Sequence, residues 1–239
     1  MQTLKTTLVI LSTLLILACN NQPNKPSNGE ANAIATKKNP ETKNQTTKPN
    51  LDLTKFGIAN NPGNVLGGLK VGDKAPDFKM LNQGGEEESL AATLKDGPVL
   101  LVFLRAEWCS FCVRHLQEFQ DNIQAIHNTG KAKVIAVSPQ ERSYMQEFHE
   151  EHAFSFPILN DQDHSVMKDY KVLFHVTDKY NNYIEKAKGK RIEVFNGDAK
   201  AVMPVPATYL IGQDQVIKYV HYDPDYKKRS DLKEVIGYL

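Results

Sequence analysis

Hydrophobic and polar positions alternate along this chain in blocks of two kinds. Pro98-Val99-Leu100-Leu101-Val102-Phe103-Leu104 is a short, unbroken apolar run, the pattern of a strand buried on both faces. After it, Val113, Leu116, Phe119, Ile123 and Ile126 recur at helical spacing and predict an amphipathic helix over residues 109–128. Ala132 to Val137 reads as a second buried strand, ending at Ser138-Pro139, and a helical pattern runs from Glu141 to His152. Upstream, Ala75-Pro76-Asp77-Phe78 starts a short strand. Downstream, Phe156-Pro157-Ile158-Leu159 meets the turn Asn160-Asp161, and Val166, Met167 and Tyr170 outline a short helix. Ala207 to Ile211 and Val216 to Val220 flank Gly212-Gln213-Asp214-Gln215, a hairpin signal. A last helix runs from Ser230, a candidate N-cap, toward Tyr238. Strands alternating with helices, closed by a hairpin and a helix, predict one three-layer α/β domain over residues 69–239, long enough to bury a proper core.

The chain before residue 69 has another character. Lys5 precedes an apolar stretch, Leu8 to Ala18, that is too short to span a bilayer as a helix and suits a signal-peptide core. Leu15-Ile16-Leu17-Ala18-Cys19 resembles a bacterial lipobox, although Leu17 is bulkier than that pattern usually has. The resemblance implies removal of residues 1–18 and lipid on Cys19, which would anchor the protein stably to a membrane. An ordinary signal peptide with an incidental cysteine is the alternative. Residues 20–50 are dominated by Asn, Thr, Lys and Pro, with Ile34 their only large apolar residue. Such a stretch cannot offset its own ordering entropy and reads as a tether of about 30 Å. Together with a transitional stretch punctuated by Asn61-Pro62-Gly63 and Gly67-Gly68, it makes residues 19–68 a lipidated linker. The expected location is a bacterial cell envelope, with the domain facing the periplasm or the exterior.

Charge narrows the function classes. The 239 residues hold 29 Lys and Arg against 28 Asp and Glu, a net charge of +1, which leaves no footprint for nucleic acid. No glycine-rich dinucleotide loop follows a strand, and neither a metal, a flavin nor a nicotinamide site is evident. His149-Glu150-Glu151-His152 reads as a solvated helix face, His115 as an exposed residue, and Lys227-Lys228-Arg229 as a solvated loop.

The chemistry concentrates at Trp108-Cys109-Ser110-Phe111-Cys112, which holds two of the three cysteines. The pair lies between the apolar strand and the amphipathic helix, in the helix's first turn. Unpaired backbone N–H groups and the helix dipole there favour an anion and lower a thiol pKa. At such a terminus the first cysteine faces solvent and the second is partly covered. Cys109 is therefore the expected attacking thiolate, and Cys112 would close an intramolecular disulfide with it. Arg105, near the end of the strand, would stabilise the thiolate or a peroxide oxygen, or else is a surface charge. Trp108 would cover one side of the site. Half of a zinc site and a static disulfide are the bland readings of the pair. No second ligand pair with knuckle spacing follows, and a two-residue loop makes a poor staple.

Ala106-Glu107-Trp108-Cys109-x-x-Cys112 looks like the thioredoxin active site, and Val205-Pro206-Ala207-Thr208 looks like its cis-proline loop. Val71-Gly72-Asp73-Lys74-Ala75-Pro76-Asp77-Phe78, Ala136-Val137-Ser138-Pro139 and Phe156-Pro157-Ile158-Leu159-Asn160-Asp161 resemble the peroxiredoxin branch, the AhpC/TSA family. Pro206 to Ile211 and His221-Tyr222-Asp223-Pro224-Asp225-Tyr226 resemble peroxiredoxin-like proteins that carry a CxxC. The resemblance covers residues 69–239. It implies a thioredoxin-like α/β/α fold with a central mixed sheet, and a cis Pro206 that would place the Val205 backbone beside the sulfurs for substrate docking. Two departures stand out. Phe103 occupies the place of the buried aspartate of thioredoxins. The peroxiredoxin Pro-x-x-x-Thr-x-x-Cys run, matched on the preceding strand, puts its proline on Arg105, its threonine on Cys109 and its peroxidatic cysteine on Cys112. Matched on Cys109 instead, proline and threonine fall on Val102 and Ala106, so neither register keeps the threonine.

The expectation is a lipid-anchored, cofactor-free thiol oxidoreductase that reduces a hydroperoxide, forms a Cys109–Cys112 disulfide and is restored by a dithiol reductant. Exchange with a protein disulfide uses the same residues. A non-catalytic binding module would instead use segment 178–203, a long inserted loop that ends near the site as a lid or docking surface, or merely a solvated hairpin.

Overall fold

The computed structural model describes residues 52–239. Residues 1–18, Cys19 and the tether to residue 51 lie outside them. In chain order the elements begin with β1 (Lys79–Leu81), β2 (Glu87–Ser89), α1 (Leu90–Thr93), β3 (Val99–Phe103) and α2 (Ser110–Asp121). There follow α3 (Ile123–Gly130), β4 (Lys133–Ser138), α4 (Arg142–His152), β5 (Ile158–Asn160), α5 (Ser165–Asp169) and β6 (Leu173–His175). The chain closes with α6 (Asp178–Lys188), α7 (Ile192–Asn196), β7 (Val202–Pro204), β8 (Ala207–Ile211), β9 (Ile217–Tyr222) and α8 (Leu232–Ile236).

The central sheet has the order β5-β4-β3-β8-β9. The first three strands are parallel, and β8 and β9 are antiparallel, so the sheet is mixed as expected. All five residues of β3 are buried because both faces are covered. The side chains alternate: Val99, Leu101 and Phe103 enter one core with Leu90, Val166 and Met167. Leu100, Val102 and Leu104 enter the other with Leu116 and Phe119 of α2, Phe148 of α4 and Val235 of α8. Each such side chain contributes roughly 1.5–3 kcal/mol by leaving water. The outcome is the expected three-layer α/β/α domain.

Four local expectations give way. The single helix over 109–128 is two helices: Asn122 leaves helical geometry, and its side chain donates to the Glu118 carbonyl at 2.9 Å, competing with the backbone ladder. The strand expected to start over 75–78 begins only at Lys79 and runs to Leu81. Segment 178–203 is no open loop but α6, α7 and β7, with Thr177 capping α6 through the Tyr180 N–H. It supplies Ile184, Ile192, Phe195 and Met203 to a third core that Val205 joins. Residues 52–68, read as linker, carry a short 3₁₀ turn at Leu53–Phe56 and strand bridges Ile58–Val176 and Val65–Leu173, and Ile58 buries itself in that third core.

Candidate active site

β3 is the switch point of the sheet, with a parallel neighbour on one side and an antiparallel one on the other. Open α/β sheets bind ligands beyond the carboxyl ends of strands at such points. Leu104 still pairs with Val137 there, its N–H 3.0 Å from the carbonyl. The chain then turns through Arg105, Ala106, Glu107 and Trp108 into α2. Glu107 N–H donates to Gln140 at 2.8 Å and ties this turn to the end of β4. Cys109 is the N-cap of α2, and its carbonyl accepts from the N–H groups of Cys112 at 2.8 Å and Val113 at 3.0 Å. The CxxC spacing therefore sets both sulfurs in the first turn, as the sequence implied, and both are free thiols.

The surroundings of the two thiols differ from those expected. Neither faces solvent: Cys109 is 5% and Cys112 2% exposed. Cys112 Sγ accepts from the Arg105 backbone N–H at 3.4 Å and from Arg229 Nη2 at 3.5 Å. Burial alone would push Cys112 up. A hydrogen bond from the Cys109 thiol, the Arg229 and Arg105 charges and the Arg105 amide outweigh burial and bring Cys112 down to about 5. Cys109 moves the other way: it is the donor in that hydrogen bond, it is buried, and it adjoins the charge on Cys112, so its thiol is held well above the ordinary range. Negative charge therefore settles on Cys112, the reverse of the expected order. It is the position that the peroxidatic cysteine takes in the register matched on the preceding strand.

Arg105 is not a surface charge. It is 1% exposed, and none of its three guanidinium nitrogens has a hydrogen-bond partner. Its guanidinium carbon lies 4.1 Å from the ring centre of Tyr226, 5.0 Å from Tyr180 and 5.9 Å from Trp108. These are cation–π distances, and the rings offset part of the desolvation. Trp108 packs on Phe195 at 6.1 Å between centroids. Phe103, in the place of a thioredoxin carboxylate, lies in the opposite core against Tyr170 and Tyr209.

Several sequence expectations do not survive. Among the described residues no peptide bond is cis, so Val205–Pro206 is trans. Val205 is fully buried in the third core, and its N–H donates to the Val172 carbonyl at 2.7 Å. Its backbone donor is thus spent inside the fold. His115, expected in solvent, is buried. Ser230 donates to Thr208 Oγ1 at 3.2 Å, which leaves its oxygen to accept from a neutral His115 Nε2–H at 2.9 Å. Burial and the nearby Arg229 and His221 push His115 down to about 3. Ser230 is consequently no N-cap; Asp231 caps α8 through the Lys233 N–H at 2.9 Å. His149 and His152 serve packing, His149 against the Phe156 carbonyl at 3.2 Å and His152 stacked on Phe154.

Sequence reasoning missed Arg229, Tyr180 and Tyr226. Arg229 was hidden in the basic run 227–229. Its signal was the serine behind it: Ser230 is held to α2 through His115, and this places its neighbour over Cys112.

Comparison with known proteins agrees with this architecture. The AhpC/TSA family profile matches residues 71–220. Peroxiredoxin Bcp of Escherichia coli (strain K12) is 28% identical over 104 residues, 44% of this chain and 65% of that protein. The chloroplastic peroxiredoxin Q of Arabidopsis thaliana is 22% identical over 177 residues, 74% of this chain and 70% of that protein. The crystal structure of the peroxidoxin BcpB from Mycobacterium tuberculosis superposes with a TM-score of 0.56 at 21% identity, covering 71% of this chain and 96% of that one. A family match across more than half the sequence, on a fold and a thiol site of this kind, establishes that the chain belongs to the AhpC/TSA family.

Proposed function

We propose that the protein is a thiol peroxidase in which Cys112 is the nucleophile and Cys109 resolves. The Cys112 thiolate attacks one oxygen of a hydroperoxide, the O–O bond breaks, and the leaving alkoxide or hydroxide takes a proton from solvent. Cys112 is left as the sulfenic acid. The Cys109 thiol then attacks that sulfur; water leaves, carrying the hydroxyl and the thiol proton, and the Cys109–Cys112 disulfide remains. A dithiol returns both cysteines to the reduced state. Arg105 and Arg229 stabilise the attacking thiolate, and no cofactor takes part.

The observation that carries this reading is the convergence on Cys112 Sγ of the Arg105 N–H and the Arg229 guanidinium. Burial of both sulfurs favours a small oxidant over a bulky protein disulfide as the first substrate. The test mixes reduced protein with hydrogen peroxide and follows fluorescence of Trp108, the single tryptophan. Cys112→Ser abolishes the response. Cys109→Ser keeps the first step and accumulates a sulfenic acid that dimedone traps. The opposite pattern overturns the assignment. The lipobox-like Leu15 to Cys19 supports a further reading, that the enzyme works at a bacterial envelope on a lipid anchor. Incorporation of labelled palmitate, lost in Cys19→Ala, tests it.

A further inference from the structure

We infer that Arg105 poises the cysteine pair as a thiol-oxidising couple, whose disulfide passes its oxidising equivalents to weakly reducing dithiols. This rests on the reading of Cys109 and Cys112 as a reversible redox pair. A buried guanidinium that lacks a countercharge is strongly disfavoured. None of the ion pairs among the described residues includes Arg105, and all three of its nitrogens are unbonded. The acidic groups that act on it are Tyr180 and the two cysteines, and of these the sulfur of Cys112 is the one charged near neutral pH. The reduced protein thus holds a matched pair, cation and thiolate, and Arg229 adds a second cation to the same sulfur. The disulfide carries no charge. Oxidation leaves Arg105 enclosed among Trp108, Tyr180 and Tyr226 with nothing to balance it.

Reduction restores the balance. A thiolate of the incoming dithiol attacks one sulfur, and its second thiol completes the exchange. The donor leaves as a disulfide, giving up two electrons and two protons. Cys109 keeps one proton, Cys112 stays anionic, and the other proton goes to solvent. At pH 7 a thiol lowered from 9.0 to about 5 favours the reduced form about 100-fold over an ordinary dithiol, roughly 59 mV for a two-electron couple. Raising Cys109 changes nothing at that pH, where it is protonated in either case. Loss of the Arg105 charge removes a part of this, about tenfold or roughly 30 mV.

The experiment equilibrates the protein in glutathione redox buffers and reads the fraction oxidised by thiol alkylation and mass. Arg105→Gln shifts the midpoint about tenfold toward the reduced glutathione side, while Arg105→Lys retains most of the wild-type value. Chemical denaturation of the wild type supplies a second readout that needs no variant. Reduced protein is the more stable form, contrary to the usual effect of a disulfide on chain entropy. An unshifted midpoint in a folded Arg105→Gln, or an oxidised wild type more stable than the reduced, overturns the inference. Failure of any Cys109–Cys112 disulfide to form is a different result, and it sinks the underlying redox reading instead.

Discussion

Replacing Arg229 by Gln isolates the cation that touches Cys112 from the one buried behind it. The wild-type contact is 3.5 Å from Nη2 to Sγ, and Arg229 is half-buried. A hydrogen bond to a charged group contributes about 1.5–3 kcal/mol, and partial exposure keeps this one at the low end. About 1.4 kcal/mol is one pKa unit, so Cys112 moves from about 5 to roughly 6. The direction follows from charge: removing a cation disfavours the thiolate. At pH 7 most of Cys112 stays ionised in either protein and the peroxide rate changes little through ionisation. At pH 5.5 the thiolate fraction falls about threefold. Absorbance of the thiolate near 240 nm, titrated in the Cys109→Ser background and referenced to the double cysteine variant, reads the midpoint directly. A midpoint that does not move in Arg229→Gln refutes the reasoning, because the contact then carries no electrostatic energy. A wild-type midpoint near 9 refutes it more deeply.

Other outcomes follow from the same geometry. Cys112 has a folded pKa below its unfolded value, so its stabilising effect is present above pH 9 and lost as pH falls through about 5; reduced wild type should gain about 2–3 kcal/mol over Cys112→Ser between pH 5 and 7 by urea denaturation. Ser230→Ala leaves His115 and Thr208 buried without their shared partner and should cost about 1–3 kcal/mol, measured as a fall in the denaturation midpoint. Val205→Ala opens space in the third core and should lower stability by about 2 kcal/mol while leaving the Michaelis constant for peroxide unchanged; a raised constant at full stability would restore a docking role. Tyr226→Ala takes away the ring nearest Arg105 and should weaken the oxidised form, where the rings alone face the cation, more than the reduced form in paired melts.

The sheet and the location of the thiols were legible because they rest on local pattern. An unbroken apolar run can bury itself only mid-sheet, and a CxxC before a helical stripe can sit only in the first turn. Periodicity also found α4, α5 and the β8–β9 hairpin. It failed at Asn122, where a side chain competes for a carbonyl within a stretch whose apolar spacing continues unbroken. It failed again over 178–203, whose polar composition reflects the exposed faces of α6 and α7 while Ile184, Ile192 and Phe195 supply a small core. The electrostatic difference between the two cysteines was out of reach for a different reason. A helix start favours charge on either sulfur, and the choice depends on Arg229, 117 positions away in the chain. Burial of Arg105 and His115 likewise depends on rings and hydroxyls brought in by the loop before α8, which no spacing rule anticipates.

The 3₁₀ turn before Ile58 reaches further than its length suggests. Gly57 adopts a left-handed backbone there, and a methyl added to it would stand 2.7 Å from Cγ of Tyr180. Tyr180 is in turn one of the rings over Arg105. A protein trimmed to begin at Leu69, the boundary that composition alone suggests, would lose this buttress and report on a slackened reaction centre, whereas one beginning upstream of Asp52 would keep it.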